Sequence, residues 1–260
     1  EEESWGEDLR LITLCKEMRY RGEKECIRPL PRFIKGWREN PKVLTPDFRY
    51  EKKLWRKYKS IAGVDEVGRG CFAGPVVAGC VVFTKDLQIP KDVKINDSKK
   101  LTPRQREKGD RWIRQKAASW GVGEVSASAI NRLGMAKATK MAFRKSISIA
   151  RKRFEKSIDY LLIDAFFIPY VRGNPKGRQM AIIDGDQKSV SIAAASIIAK
   201  VYRDKVMLRL SKNPKYKKYG WGRNKGYGTK EHRSAIKKYG ISRFHRKDFV
   251  KNFLPKASFV

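Results

Sequence analysis

Three apolar, β-leaning runs in the chain end on carboxylates: Asp65 and Glu66 after IAGV, Asp164 after YLLI, and Asp184 and Asp186 after MAII. Acids at strand ends can converge on one edge of a sheet, where open α/β folds place their ligand sites. Neighbours within a strand point to opposite faces, so Asp65 and Glu66 share a site only if the strand stops there, and Gly68 supplies a stop. Carboxylates gathered within a few ångströms repel one another and call for cations. Oxygen-only donors suit two Mg²⁺ or Mn²⁺ ions about 4 Å apart, the arrangement that cuts phosphodiesters. Taken singly, each acid has an ordinary role, Asp164 in a turn and Asp184 or Asp186 as the N-cap of the next helix. Only the set points to chemistry.

The acid pair sits in a strongly basic chain. Its 260 residues carry 60 Lys and Arg against 27 acids, a formal net charge of +33. That excess implies a polyanionic partner, nucleic acid first and an anionic membrane surface second. No run of about 18 apolar residues offers a membrane span. The N-terminal EEESWGEDLR lacks the basic-then-apolar order of a signal peptide. Cys15, Cys26, Cys71 and Cys80 form no C-x-x-C pair, so reduced thiols in a cytoplasmic protein are expected. Two histidines, His232 and His245, leave little room for imidazole chemistry. GRGCFAG offers G-x-G, but the carboxylates before it would repel a pyrophosphate, which argues against a nucleotide cofactor.

The elements that must position these residues follow from periodicity and turn signals. Residues 1–59 form an extension with 16 basic and 11 acidic residues, a short helix over Leu9–Met18, and breaks at Pro29, Pro31, Pro41 and Pro46. This module is expected to add contacts to nucleic acid. The core, residues 60–210, reads as strands at Ser60–Asp65, Pro75–Thr84, Trp120–Ala127, Asp159–Asp164 and Met180–Ile183. Helices are expected from Thr102-Pro103 toward Ser119, over Met135 to Phe154, and over Ser189–Leu210, whose Ala193–Ser196 run permits close packing on a sheet. Residues 211–260 form a basic segment, helical over Lys230–Tyr239. The alternation implies a mixed α/β sheet flanked by helices, with three antiparallel strands followed by parallel additions.

The blocks GVDEVGRGCFAGPVVAGCVV, INDSKKLTPRQRE, YLLIDA, GDQKSVSIAAASIIAKVYRD, NKGYGTKEH and HRKDF resemble, in order, those of the ribonuclease HII family over residues 60–250. The resemblance implies a ribonuclease H-like five-stranded fold and a catalytic, metal-binding set of Asp65, Glu66, Asp164 and Asp186. Asp184 stands where the family commonly has lysine, and Gly134 where it has asparagine. Gly68, Arg69 and Gly70 match a turn that meets the ribose 2′-OH, the group that separates RNA from DNA. Arg69 could also pair with a phosphate. Tyr227 matches a tyrosine that stacks on the deoxyribose side of an RNA–DNA junction. Ser98, Lys99 and Lys100 match a substrate-facing segment, and Lys188 and Lys225 serve as phosphate contacts. Lys200 and Asp204 read as a helix-face ion pair.

The function so implied is two-metal endonucleolytic cleavage of RNA in RNA–DNA hybrids and 5′ to single ribonucleotides in duplex DNA. It leaves 3′-OH and 5′-phosphate ends and acts, as a monomer, in ribonucleotide removal. Ribonuclease HIII is the nearest alternative, and Arg69 argues against it.

Overall fold

The structure is a computed structural model that describes residues 45–85, 87–154 and 157–254. The helix expected over Leu9–Met18 and the prolines up to Pro41 lie outside these residues. Thr45–Val260 forms one compact unit.

Five strands build a single sheet in the order β3-β2-β1-β4-β5: β1 (Ile61–Val67), β2 (Val76–Phe83), β3 (Ser119–Val125), β4 (Tyr160–Asp164) and β5 (Gln179–Ile182). β1, β2 and β3 are antiparallel neighbours, and β4 and β5 add in parallel. Mixed antiparallel-then-parallel order is what the sequence alternation implies. Pleating splits the side chains of the central strands between two cores. Ala62, Val64, Ala78, Cys80 and Val82 pack on Ala142, Phe143 and Ile147 of one helix (Met135–Phe154). Val81 and Phe83 face Ala194, Ile197 and Ile198 of another (Val190–Ser211).

In chain order the helices are α1 (Arg49–Leu54), α2 (Pro103–Lys116), α3 (Ala127–Leu133), α4 (Met135–Phe154) and α5 (Val190–Ser211). The short α6 (Pro214–Lys217) and α7 (Trp221–Asn224), then α8 (Lys230–Tyr239) and α9 (Lys247–Val250), follow. α2 starts as its sequence directs, with a Thr102–Gln105 capping box and Pro103 in the first turn. α5 lies on the sheet at backbone distance. A Cβ on Gly63 would fall 2.0 Å from the Ser191 carbonyl carbon, and one on Gly79 would fall 2.2 Å from the Ala195 carbonyl oxygen. Only a strand with no side chain at these two points lets the small-residue stretch of α5 seat this closely.

Residues 45–58, assigned from sequence to the extension, are bound into this unit. Phe48 packs edge-on against Phe83, and Tyr58 lies 4.9 Å from Tyr160 between ring centroids. Glu51 is fully buried, and its Oε1 accepts hydrogen bonds from Ser189 Oγ (2.6 Å) and Ser191 N (2.9 Å). A carboxylate at the start of α5 satisfies helix-terminal donors and meets the positive end of the helix dipole. Sequence reading placed these residues with the extension because Pro46 breaks the chain there, whereas aromatic burial ties them to the sheet.

A chain starting at Ser60 therefore melts well below one starting at Thr45, because it loses the buried Glu51 and the Phe48 and Trp55 rings. Thermal and urea unfolding of the two should differ by at least about 3 kcal/mol.

Candidate active site

Asp65 and Glu66 do meet at one site, but not because β1 stops. The strand runs on to Val67 against β2, with Asp65 opposite Gly79 and Glu66 opposite Ala78. It is β4 that ends: its last pairing with β1 is Ile163 opposite Val64, which brings Asp164 level with Asp65. Past that point β1 has no neighbour on this side. Asp65, on the α5 face, and Glu66, on the α4 face, both open onto the gap that Asp164 borders.

These acids act on one another electrostatically. Burial raises the Asp65 carboxyl well above its ordinary value, and Glu66, Asp164 and Asp186 push it further, against a Ser196 hydroxyl that lowers it. Glu66 is raised to about 7, by burial first; Arg69 opposes this and Asp164 adds to it. Asp186 is raised to about 6, again mainly by burial, with Lys99 opposing and Asp97 and Asp164 adding. The four acids thus sense one another. Asp164 is further fixed by its Oδ1, which accepts from Gly185 N at 2.8 Å and so ties the end of β4 to the turn that carries Asp186.

Asp184 does not join them. It is exposed, in the left-handed region at φ +52, and its carbonyl accepts the Gln187 N–H of the 3₁₀ turn Gly185–Gln187. Neither Asp184 nor Asp186 caps α5; Ser189 does, accepting from Ile192 N at 3.3 Å.

Lys99 also reaches the cluster, its Nζ 3.5 Å from Asp186 and 3.8 Å from Asp97. Burial disfavours its charge, but Asp186, Asp97 and Asp65 outweigh that and raise its pKa. Asp97, within the INDSKK block, is buried as well. Ser98 is buried, and its Oγ lies 2.9 Å from Ser196 Oγ, the hydroxyl that bonds Asp65. Lys100 reaches Gln187 Oε1 at 2.8 Å, and Lys188 is half-buried below α5.

The Gly68–Gly70 turn follows β1 directly. Gly68 has φ +92, and a Cβ there would lie 2.2 Å from Arg203 Nε, whereas Gly70 is exposed with open space around it. Arg69 bonds Glu66 at 3.2 Å, and its guanidinium lies 5.4 Å from the Phe166 ring centroid.

Two fully buried guanidinium groups hold this turn in place, and neither was singled out from sequence. Arg203 donates to the carbonyls of Pro75 (3.0 Å), Ala73 (3.0 Å) and Lys225 (2.9 Å). Arg246 donates to those of Gly74 (3.0 Å) and Arg69 (2.8 Å). Buried charge is costly unless hydrogen-bonded, and here five main-chain carbonyls around the turn supply the partners. Their signal in sequence is faint, because in a chain this basic an arginine reads as solvated.

Tyr227 is 40% exposed, with Lys200 and Arg203 5.7 and 5.8 Å from its ring centroid. Its main chain is set by the two histidines. Ser242 N donates to His245 Nδ1 (2.8 Å), which leaves the proton on His245 Nε2 to donate to His232 Nε2 (3.1 Å). Trp221 Nε1 donates to that same nitrogen (3.1 Å), so His232 carries its proton on Nδ1 and donates to the Tyr227 carbonyl (2.9 Å). These tautomers are assigned from the network. Burial lowers both pKa values, with His232 helping to bring His245 to about 3. The neutral pair holds the main chain around Tyr227 in place.

Lys225 turns its ammonium to the Gly222 carbonyl at 2.6 Å, and Lys200 pairs with Asp204 at 2.8 Å as their spacing implies. Gly134, at φ +77, is the C-cap of α3.

Among the described residues, no three His, Cys, Asp or Glu side chains are drawn together closely enough to hold a metal ion as they stand. The donor set nonetheless fits a hard divalent cation: carboxylates only, mutually repelling, with Glu66 Oε2 buried and without a hydrogen-bond partner.

Comparison with known proteins places this arrangement. The ribonuclease H2 of Pyrococcus horikoshii OT3 superposes with a TM-score of 0.60 at 25% identity, covering 75% of this chain and 96% of that one. Bst-RNase HIII in complex with Mn²⁺ superposes with a TM-score of 0.59 at 20% identity, covering 75% of this chain and 68% of that one. The sheet is therefore that of the ribonuclease H-like class. The family profile described as Ribonuclease HII matches residues 62–252. A Ribonuclease HII of Caldanaerobacter subterraneus subsp. tengcongensis is 46% identical over 206 residues, 79% of this chain and 80% of that protein. The chain belongs to the ribonuclease HII family, and it is a nuclease that hydrolyses RNA in RNA–DNA hybrids.

Because Glu66 titrates near 7 when folded against an ordinary 4.5, its ionised form is disfavoured in the fold. The penalty is full above pH 7 and vanishes below the unfolded value. Glu66→Gln should therefore stabilise the metal-free protein at pH 8 by on the order of 2 kcal/mol, and hardly at all near pH 4. Urea unfolding at the two pH values measures this. Arg203→Met, by contrast, strands three interior carbonyls and should destabilise by about 3 kcal/mol or more at either pH.

Proposed function

We propose that this nuclease cuts endonucleolytically, both within the RNA of hybrids and 5′ to a single ribonucleotide in duplex DNA, leaving 3′-OH and 5′-phosphate ends. The observation that carries the reading is the juxtaposition of Asp65, Glu66, Asp164 and Asp186 with the Gly68–Gly70 turn. Catalysis and choice of sugar then share one short segment.

The four carboxylates would hold two Mg²⁺ or Mn²⁺ ions; a structural relative in complex with Mn²⁺ supports the ion class. When bound, such ions supply Lewis acidity to the phosphoryl group and acidify water. Gly68 and Gly70 bring main-chain groups to the 2′-OH, which has both a donor and an acceptor to offer. Arg69 holds Glu66 in place and faces the strand, while Tyr227 offers its ring to the sugar on the DNA side. Lys99 neutralises Asp186 in the metal-free protein and would turn to phosphate once cations replace it. Lys188, Lys225 and the basic segment after α5 extend the groove along the duplex. The basic content of residues 1–59 favours further contacts to nucleic acid. The protein works as a monomer in the cytoplasm and serves ribonucleotide removal from DNA. Its charge makes binding steeply salt-dependent.

Duplex DNA containing one ribonucleotide, incubated with the protein and Mg²⁺, should be nicked 5′ to that ribonucleotide. Asp65→Asn should slow the cut by about a thousandfold or more while leaving affinity for the duplex within a few-fold. A cut elsewhere, or an unimpaired Asp65→Asn variant, overturns the assignment.

A further inference from the structure

The loop between β4 and β5 is not used by the cutting site, yet it departs from it directly. Between Asp164 and Asp184 the chain has no acid and carries Arg172, Lys176 and Arg178, all exposed. Phe166, at the start of the loop, lies beneath the Arg69 guanidinium. Two aromatic rings then face solvent: Phe167 is 38% exposed and Tyr170 is 91% exposed. Lys176 Nζ sits 5.4 Å from the Phe167 ring centroid. Lys140, Phe167, Pro169, Tyr170, Pro175 and Lys176 border a groove of about 680 Å³.

The exposure of these rings is built in. Buried Gln179 accepts from Ile168 N (2.9 Å) and donates to the carbonyls of Ile168 (3.0 Å) and Asn174 (2.7 Å). Fully buried Asn174 donates to the carbonyls of Ile158 (2.9 Å) and Asp159 (3.0 Å), and Arg144 donates to that of Pro169 (3.1 Å). Core amides thus fix the loop from below. Tyr170 adopts φ +56, a left-handed conformation unfavourable for a bulky residue, and its ring gains nothing from the protein interior in return.

We propose that residues 166–178 bind an unpaired stretch of nucleic acid flanking the hybrid, with Tyr170 and Phe167 stacking on its bases and Arg172, Lys176 and Arg178 meeting its phosphates. This rests on the nuclease reading of the adjacent site. The occupant is nucleic acid because the groove is bordered by cations and no acid. It is unpaired because the faces of paired bases are already covered by their neighbours, whereas a single-stranded base offers its face to a ring. A Lys-backed Phe strengthens such a stack.

The test is fluorescence anisotropy with the full-length chain in EDTA, which prevents cutting. It compares a blunt RNA–DNA hybrid with hybrids bearing a single-stranded DNA tail of about ten nucleotides at a 5′ or a 3′ end. The parent should bind at least one tailed hybrid about tenfold more tightly than the blunt one. Tyr170→Ala combined with Phe167→Ala should bring tailed and blunt hybrids to equal affinity, while Tyr170→Trp keeps the gain. Both changes are on the surface, so melting temperature and Mg²⁺-dependent cutting of the blunt hybrid stay at parental values. A parent indifferent to tails overturns the proposal, as does a tail preference that survives loss of both rings, since charge alone would then explain it. Failure of the nuclease reading is separate: it would appear as a parent that cuts no blunt hybrid.

Discussion

Repulsion between buried carboxylates is the constraint around which this protein is arranged. Asp65 is 5% exposed, and the charges of Glu66, Asp164 and Asp186 all act to keep it protonated. A free chain would relax such a cluster by moving its members apart. Here three of them are attached to a sheet that seats α5 against Gly63 and Gly79, and the fourth is tied to β4 through the Gly185 N–H. The fold therefore maintains a strained electrostatic arrangement that a divalent cation would relieve. That is the preorganisation expected of a hydrolytic metal site.

The same logic governs the Gly68–Gly70 turn. A glycine-rich segment is free to move unless something holds it, and what holds it here is unusual in kind. Arg203 and Arg246 direct their charge at main-chain carbonyls in the bonds described above. On the far side, the neutral histidine pair fixes the Tyr227 carbonyl. Interior polar groups thus set the positions of surface groups.

Much of this was legible in sequence, for identifiable reasons. The five strands stand out as Val-rich or Leu/Ile-rich runs, and the Thr102-Pro103 and Ser189 helix starts carry explicit capping residues. The acid set was legible as a set. What could not be read depended on tertiary neighbours. Whether Asp65 and Glu66 share a site turned on where β4 ends, not on where β1 does. Ser98 looks like a surface loop residue until Ser196 is found across from it. Glu51 sits in a segment broken by proline and dense in charge, and only its partners on α5 show it to be interior. Arg203 and Arg246 are lost among 60 basic residues, since sequence records the charge but not the carbonyls around it.

The parallel pairing of β1 with β4 has a consequence in time. Between the two strands lie β2, α2, β3, α3 and α4, so their contact closes a long stretch of chain. Local antiparallel pairs form at lower entropic cost than such crossovers. The β1–β2–β3 meander, with Asp65, Glu66 and the Gly68–Gly70 turn, can thus be assembled before Asp164 and Asp186 have left the ribosome. A chain halted within α4 would already carry Asp65 and Glu66 side by side, yet lack the two acids that complete the cluster.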